Sequence, residues 1–145
     1  MNEVIDYKVD KSQFKHRGPW DNEPDKLNWK DEATGMACMI VRNSMGALCG
    51  YVAVDRGHPY YGKDYNFLDV ECHGGLTYAN ECSGHVCHVP EPGEPDDVWW
   101  FGFDCGHSWD FIPSYSDGGD GTYRDLKYVR REVTFLARQL HGAAE

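Results

Sequence analysis

Four side chains in the middle of the chain, His73, Asp104, His107 and Asp110, are of types that move protons or hold metal ions. An imidazole oriented by a carboxylate can serve as general base or metal ligand, because the carboxylate fixes which ring nitrogen carries the proton. The stretch Phe103-Asp104-Cys105-Gly106-His107-Ser108-Trp109-Asp110 gathers three of the four where a strand should give way to a Gly-containing turn. Polar groups where a chain leaves a sheet are well placed to line a pocket. In the catalytic reading His73, Asp104 and His107 hold an ion or activate water, and Asp110 orients the imidazole. In the plainer one Asp104 caps the turn and His107 is a hydrogen-bonded surface residue.

Two further segments suit ligand binding. His73-Gly74-Gly75-Leu76-Thr77-Tyr78 pairs two glycines, which let a backbone approach a ligand, with the hydroxyls of Thr77 and Tyr78. It lacks the longer glycine spacing and the Lys of a phosphate-binding P-loop, and a Gly-Gly turn between strands explains it equally well. His58-Pro59-Tyr60-Tyr61-Gly62-Lys63 sets a His and a Lys on an aromatic loop. For a nucleotide-like ligand, Tyr60, Tyr61 and Tyr78 would stack on the base while His58 and Lys63 meet phosphate.

Of the six cysteines, Cys38 and Cys49 fall in apolar runs and read as core. Cys82, His85, Cys87 and His88 are dense in zinc-ligand types, joined by Cys105 and His107. No two cysteines among them have the two-residue gap of a zinc knuckle, and adjacent Cys87 and His88 share a tetrahedral ion poorly, so zinc is a cofactor the sequence allows rather than specifies. Nucleophilic thiol chemistry needs a nearby base, and Cys105 beside His107 is the one tempting pair. The first residues hold no apolar run of leader type, which leads to an expectation of a cytoplasmic protein with reduced cysteines.

The elements that must position these groups follow from periodicity. Residues 1–30 are charged, broken by Pro19 and Pro24, and read as an irregular segment anchored by Trp20, with Leu27 and Trp29 beginning a short strand. Residues 36–42 and 47–54 are apolar runs joined by Asn43-Ser44-Met45-Gly46, a β-hairpin pattern. Residues 67–72 alternate as a half-buried strand should, 76–79 could resume it, and 98–104 form an aromatic strand. The aromatics from Trp99 to Phe111 read as core by default. Residues 114–121 form a Ser/Gly/Asp loop expected to be mobile. Thr122 and Asp125 resemble a helix start, and Leu126, Val129, Val133, Leu136, Ala137 and Leu140 recur at helical spacing, giving a helix over about 122–141. The pattern is that of a single α+β domain over 1–145, a mainly antiparallel sheet with a C-terminal amphipathic helix packed on one face.

Length and charge bound the rest. A chain of 145 residues with 41% hydrophobic content can bury one real core. The net charge of −10 opposes direct nucleic acid binding through a basic face and leaves a small polar ligand or a basic partner surface. No run is long and apolar enough to span a membrane.

The combination of Gly57-His58-Pro59, Gly62-Lys63-Asp64-Tyr65, His73-Gly74-Gly75-Leu76-Thr77-Tyr78, Trp100 to His107 and the Tyr-Arg-Asp-Leu start at Tyr123 resembles a family of small proteins associated with bacteriophages and prophages. The likeness covers most of the chain after Trp20. It implies a phage accessory protein working in the bacterial host cytoplasm, and carries no reaction of its own. The reading that follows is a binding protein for a small polar or nucleotide-like ligand or a host protein, acting in counter-defence. The alternatives are a small metal-assisted hydrolase and a structural virion or scaffold component.

Overall fold

Five short strands and one long helix account for the regular structure of the computed structural model, which describes residues 3–114 and 121–144. The strands are β1 (Lys26–Lys30), β2 (Ala37–Arg42), β3 (Leu48–Val54), β4 (Tyr78–Glu81) and β5 (Trp99–Asp104). They form one sheet in the order β1-β2-β3-β5-β4, with every pair antiparallel. The helix, α1 (Leu126–Ala143), buries Val129, Val133, Leu136, Ala137 and Leu140 against one face. That is the predicted α+β arrangement.

The hairpin of β2 and β3 forms where the apolar runs place it. Asn43 Oδ1 accepts from the amides of Met45 and Ala47, and Gly46 supplies a positive φ of 99° that closes the turn. Both faces of β3 are buried, because α1 covers one side while Tyr7 and Val86 pack on part of the other. Two glycines make the close packing at the sheet centre workable. A Cβ on Gly50 would lie 2.6 Å from both Phe103 and Val133. One on Gly102 would lie 2.2 Å from the Tyr51 ring, so each aromatic rests on a bare backbone across the strand pair.

Several expectations fail for identifiable reasons. Residues 67–72 are not a strand: a 3-10 turn occupies Tyr65–Phe67, and the chain then runs irregularly to β4, which begins at Tyr78 rather than at 76. The alternating pattern there reflects partly buried Leu68, Val70 and Cys72 packing onto the helix-side core without a partner strand. α1 starts at Leu126, later than the predicted 122. Asp125, not Thr122, is its cap and accepts from the Tyr128 amide at 2.9 Å, while Thr122 is held in a bridge with Asp110. Residues 1–30 are irregular only as far as β1, whose edge is lined by the chain at Glu3 to Ile5. Of the loop expected at 114–121, residues 115–120 lie outside the described residues.

Cys82 and Cys87 do not stay as thiols. The Ser83–Val86 bridge brings their Cα atoms to 4.6 Å and they form a disulfide, which removes the expected Cys82, His85, Cys87 and His88 zinc set. Cys38 and Cys49 are buried as expected. Trp20 is the anchor expected of it, packed on Phe111 and Tyr123. Trp109 departs from the aromatic core, standing 51% exposed.

Among the described residues one charged side chain has no exposure at all. Arg42, at the end of β2, donates from Nε to Asp25 Oδ1 at 2.7 Å and from Nη2 to Glu23 Oε1 at 3.2 Å. Its Nη1 reaches the Gly46 carbonyl and the Tyr123 hydroxyl, each at 2.9 Å. Glu23 Oε2 in turn accepts from the Leu126 amide that opens α1, at 2.9 Å. Removing one partner of a buried ion network strands the others, so Arg42→Met should cost about 3–5 kcal/mol. Urea denaturation of the variant checks this, and a loss below about 1 kcal/mol would show that the network is not cooperative.

Candidate functional site

The turn at His73, the turn after β5 and the start of α1 meet around one carboxylate. His73 sits on a turn where Gly74 and Gly75 adopt φ of 69° and 83°, which only glycine takes without strain. Gly74 has a second reason to be glycine, since a Cβ there would lie 2.2 Å from the His107 ring. His107 and Asp110 share a tight turn in which the Asp110 amide donates to the His107 carbonyl at 2.9 Å. Arg124 and Tyr128 come from the lead-in and first turn of α1.

Asp110, 3% exposed, is the centre. His73 Nε2 lies 2.9 and 3.0 Å from its two oxygens, and His107 approaches Oδ2 with both its backbone amide and its Nδ1 at 3.0 Å. Arg124 Nε donates to Oδ1 at 3.1 Å. Burial works to raise the Asp110 pKa, but the bonds from His73, from the His107 amide and ring, and from Arg124 outweigh it. They hold the carboxyl below its ordinary value. The group is therefore an ionised acceptor.

An ionised carboxylate can only accept, which assigns the protons. His73 Nε2 and His107 Nδ1 must each carry a hydrogen. His73 Nδ1 lies 2.8 Å from the Tyr128 hydroxyl and accepts from it when the ring carries only its Nε2 hydrogen; burial raises the pKa of that phenol, so it keeps its proton. His107 Nε2 has no hydrogen-bond partner among the described residues, and with the proton on Nδ1 alone it offers an open lone pair. Its ring stacks on Trp109 at 4.6 Å between centroids and 6° between planes. An oriented, half-buried imidazole with an open acceptor nitrogen beside an exposed indole can take a proton or a hydrogen bond from a ligand.

The expected residues divide. His73, His107 and Asp110 converge, with potential ligand atoms within 4.8 Å of one another. Asp104 does not join them: its oxygens accept from the Thr77 hydroxyl at 3.1 Å and the Gly106 amide at 2.9 Å, the turn-capping role of the plainer reading. Cys105 is no nucleophile, because it is buried and desolvation pushes its thiol pKa well up.

The expected nucleotide cradle is dispersed. His58 accepts the Tyr60 amide at Nδ1 and so must donate from Nε2 to the Leu140 carbonyl at 2.6 Å, closing the C-terminal end of α1. Lys63 Nζ lies over Phe67, Tyr60 packs edge-on against that ring, and Tyr78 packs on Tyr51 beneath the opposite face of the sheet. Of the ligand set, Gly74 lies against the His107 ring, with Gly75 following it in the same turn and Thr77 bonded to Asp104.

Arg124, Tyr128 and Trp109 belong to the site without having been expected there. The only sequence signal for Arg124 was its place in Tyr123-Arg124-Asp125-Leu126, and Trp109 was hidden by its run of aromatic neighbours. No family model, curated protein or solved structure matches this chain.

Because the folded Asp110 pKa is depressed, its contribution is complete above the unfolded value of about 3.9 and is lost as pH falls through the folded value. Asp110→Asn should lower stability at pH 7 by about 2–4 kcal/mol and flatten the decline of stability between about pH 5 and 2. Thermal unfolding across that range tests both, and an unchanged acid slope would count against an ionised hub. Gly74→Ala should displace the His107 ring, seen as a shift of its imidazole nitrogen resonances, with a loss of about 1–3 kcal/mol.

Proposed function

We propose that this is a phage-type accessory protein that binds a small polar or nucleotide-like ligand at the His73, His107 and Asp110 site, in the service of counter-defence. The observation that supports the reading is the open Nε2 of His107, set by an ionised Asp110 and framed by Trp109. A ligand N–H or O–H donates to that nitrogen. A flat ring lies on the outer face of Trp109, and Arg124 draws an anionic group toward the site. A host-cytoplasm setting belongs to the same proposal. The Cys82–Cys87 disulfide opposes that setting, because reducing compartments disfavour disulfides; thiol titration of rapidly isolated protein decides, and a disulfide that survives in it would count against the host cytoplasm.

A second reading, a metal-assisted hydrolase, draws on the convergence of His73, His107 and Asp110. Binding an ion between them would move the imidazole protons outward, with His73 Nδ1–H then donating to the Tyr128 hydroxyl, an arrangement usual for metal-held histidines. Arg124 opposes it, because a guanidinium already occupies the carboxylate.

Titration of the chain with a panel of nucleoside monophosphates, while following the imidazole nitrogens, separates the two. Ligand binding predicts a shift at His107 Nε2 and a loss of at least about tenfold in affinity in His107→Ala. Zinc added to metal-free protein should then bind weakly. Stoichiometric zinc uptake that His73→Ala removes would instead establish the metal reading, and no response to either probe would sink both.

A further inference from the structure

The other face of the sheet holds a cavity far from His107. There Lys30 pairs with Ala37 and Ala53 pairs with Trp100, and the two alanines leave a trough where larger side chains would fill the face. The 87–98 stretch roofs it, with Val98 and His88 on one wall, Lys26 and Asn28 on the other, and His58 near one end. The volume is about 890 Å³, within the range of small-molecule sites.

One wall carries an uncompensated charge. Lys26 is only 8% exposed, and its Nζ donates to two neutral groups, the carbonyls of His85 at 2.8 Å and Cys87 at 3.1 Å. Among the described residues no carboxylate pairs with it. Neighbouring Lys30, by contrast, is tied to Glu94. An ammonium has three donors, so one remains, and two carbonyl dipoles supply no full counter-charge. Burial accordingly presses the Lys26 pKa below its ordinary value. Asn28 Oδ1, on the same strand, is also buried without a partner.

We infer that this cavity binds a small apolar molecule bearing a single carboxylate, which meets Lys26 Nζ while the apolar body lies over Ala37 and Ala53. One ammonium matches one negative charge. Asp55, Glu91 and Glu94 also line the cavity and would repel a more highly charged group such as a phosphate dianion. The apolar floor gives the body its binding energy, and the carboxylate gives its orientation.

The probe pair 2-naphthoate and the neutral 2-naphthamide tests this on the full chain, by calorimetry with amide shift mapping. The naphthoate should bind one to one and at least about tenfold more tightly than the amide, a difference of about 1.4 kcal/mol. Shifts should centre on Ala53 and Val98 and spare His107. Lys26→Met should erase the preference between the probes. It should also keep the fold, because an apolar isostere replaces an unpaired buried charge. Ala53→Phe, which fills the trough, should weaken both probes at least about tenfold. Equal affinity for the two probes, retention of the preference in Lys26→Met, shifts centred on His107, or no binding of either probe would each overturn the inference. If Lys26→Met does not fold, the wild-type comparison of the probes and Ala53→Phe still decide it.

Discussion

The burial of the Arg42 guanidinium organises this fold. A charge with no contact with water must find its partners inside the protein, and the partners here come from three separate parts of the chain, at 23–25, 46 and 123. Asp25 also accepts from Lys11 and from the Val9 amide, which fastens the irregular N-terminal segment beside the sheet. Glu23 passes the connection on to the first amide of α1, and Gly46 ties in the β2–β3 turn. Segments with few apolar contacts are thus held by one electrostatic requirement. A buried network of this kind contributes little net energy over an apolar replacement, but it is intolerant of partial loss, and so it specifies where the chain ends must go.

Asp110 repeats the theme with the opposite sign and a different outcome. Its four donors satisfy the carboxylate completely, yet the arrangement leaves one imidazole nitrogen unused at the surface. Lys26 is the reverse case, a cation whose immediate partners are neutral. Tyr128 beside the first site and His141, which lines the cavity, lie about 20 Å apart along α1, at 1.5 Å per residue. The helix therefore joins two chemically distinct regions without either contributing side chains to the other.

Much of the scaffold was legible in the sequence, because it rests on short-range rules. The β2–β3 hairpin follows from two apolar runs and an Asn-led turn, and α1 from six apolar positions at helical spacing. The stretch at 67–72 misled because alternation records burial, and a chain lying against a core alternates whether or not another strand pairs with it. Within the site, His73, His107 and Asp110 were identifiable from their types. The exclusion of Asp104 was not, because a turn two residues long decides whether a carboxylate faces its own backbone or a distant imidazole. Arg42, Arg124 and Lys26 were invisible for the same reason: nothing in an isolated Arg or Lys says that the fold will close over it.

The glycines under Phe103 and Tyr51 carry a consequence for how this sequence can change over time. A methyl group at Gly50 would collide with both the aromatic opposite and Val133 of the helix, and one at Gly102 would collide with Tyr51. Neither glycine can drift alone, since the intermediate with a filled strand and an unreduced ring is overpacked. Divergence at the sheet centre must therefore proceed by paired exchanges, a larger residue appearing on one strand as its neighbour shrinks. The centre of the sheet would then be an epistatic lock, slow to vary while the loops around it change freely.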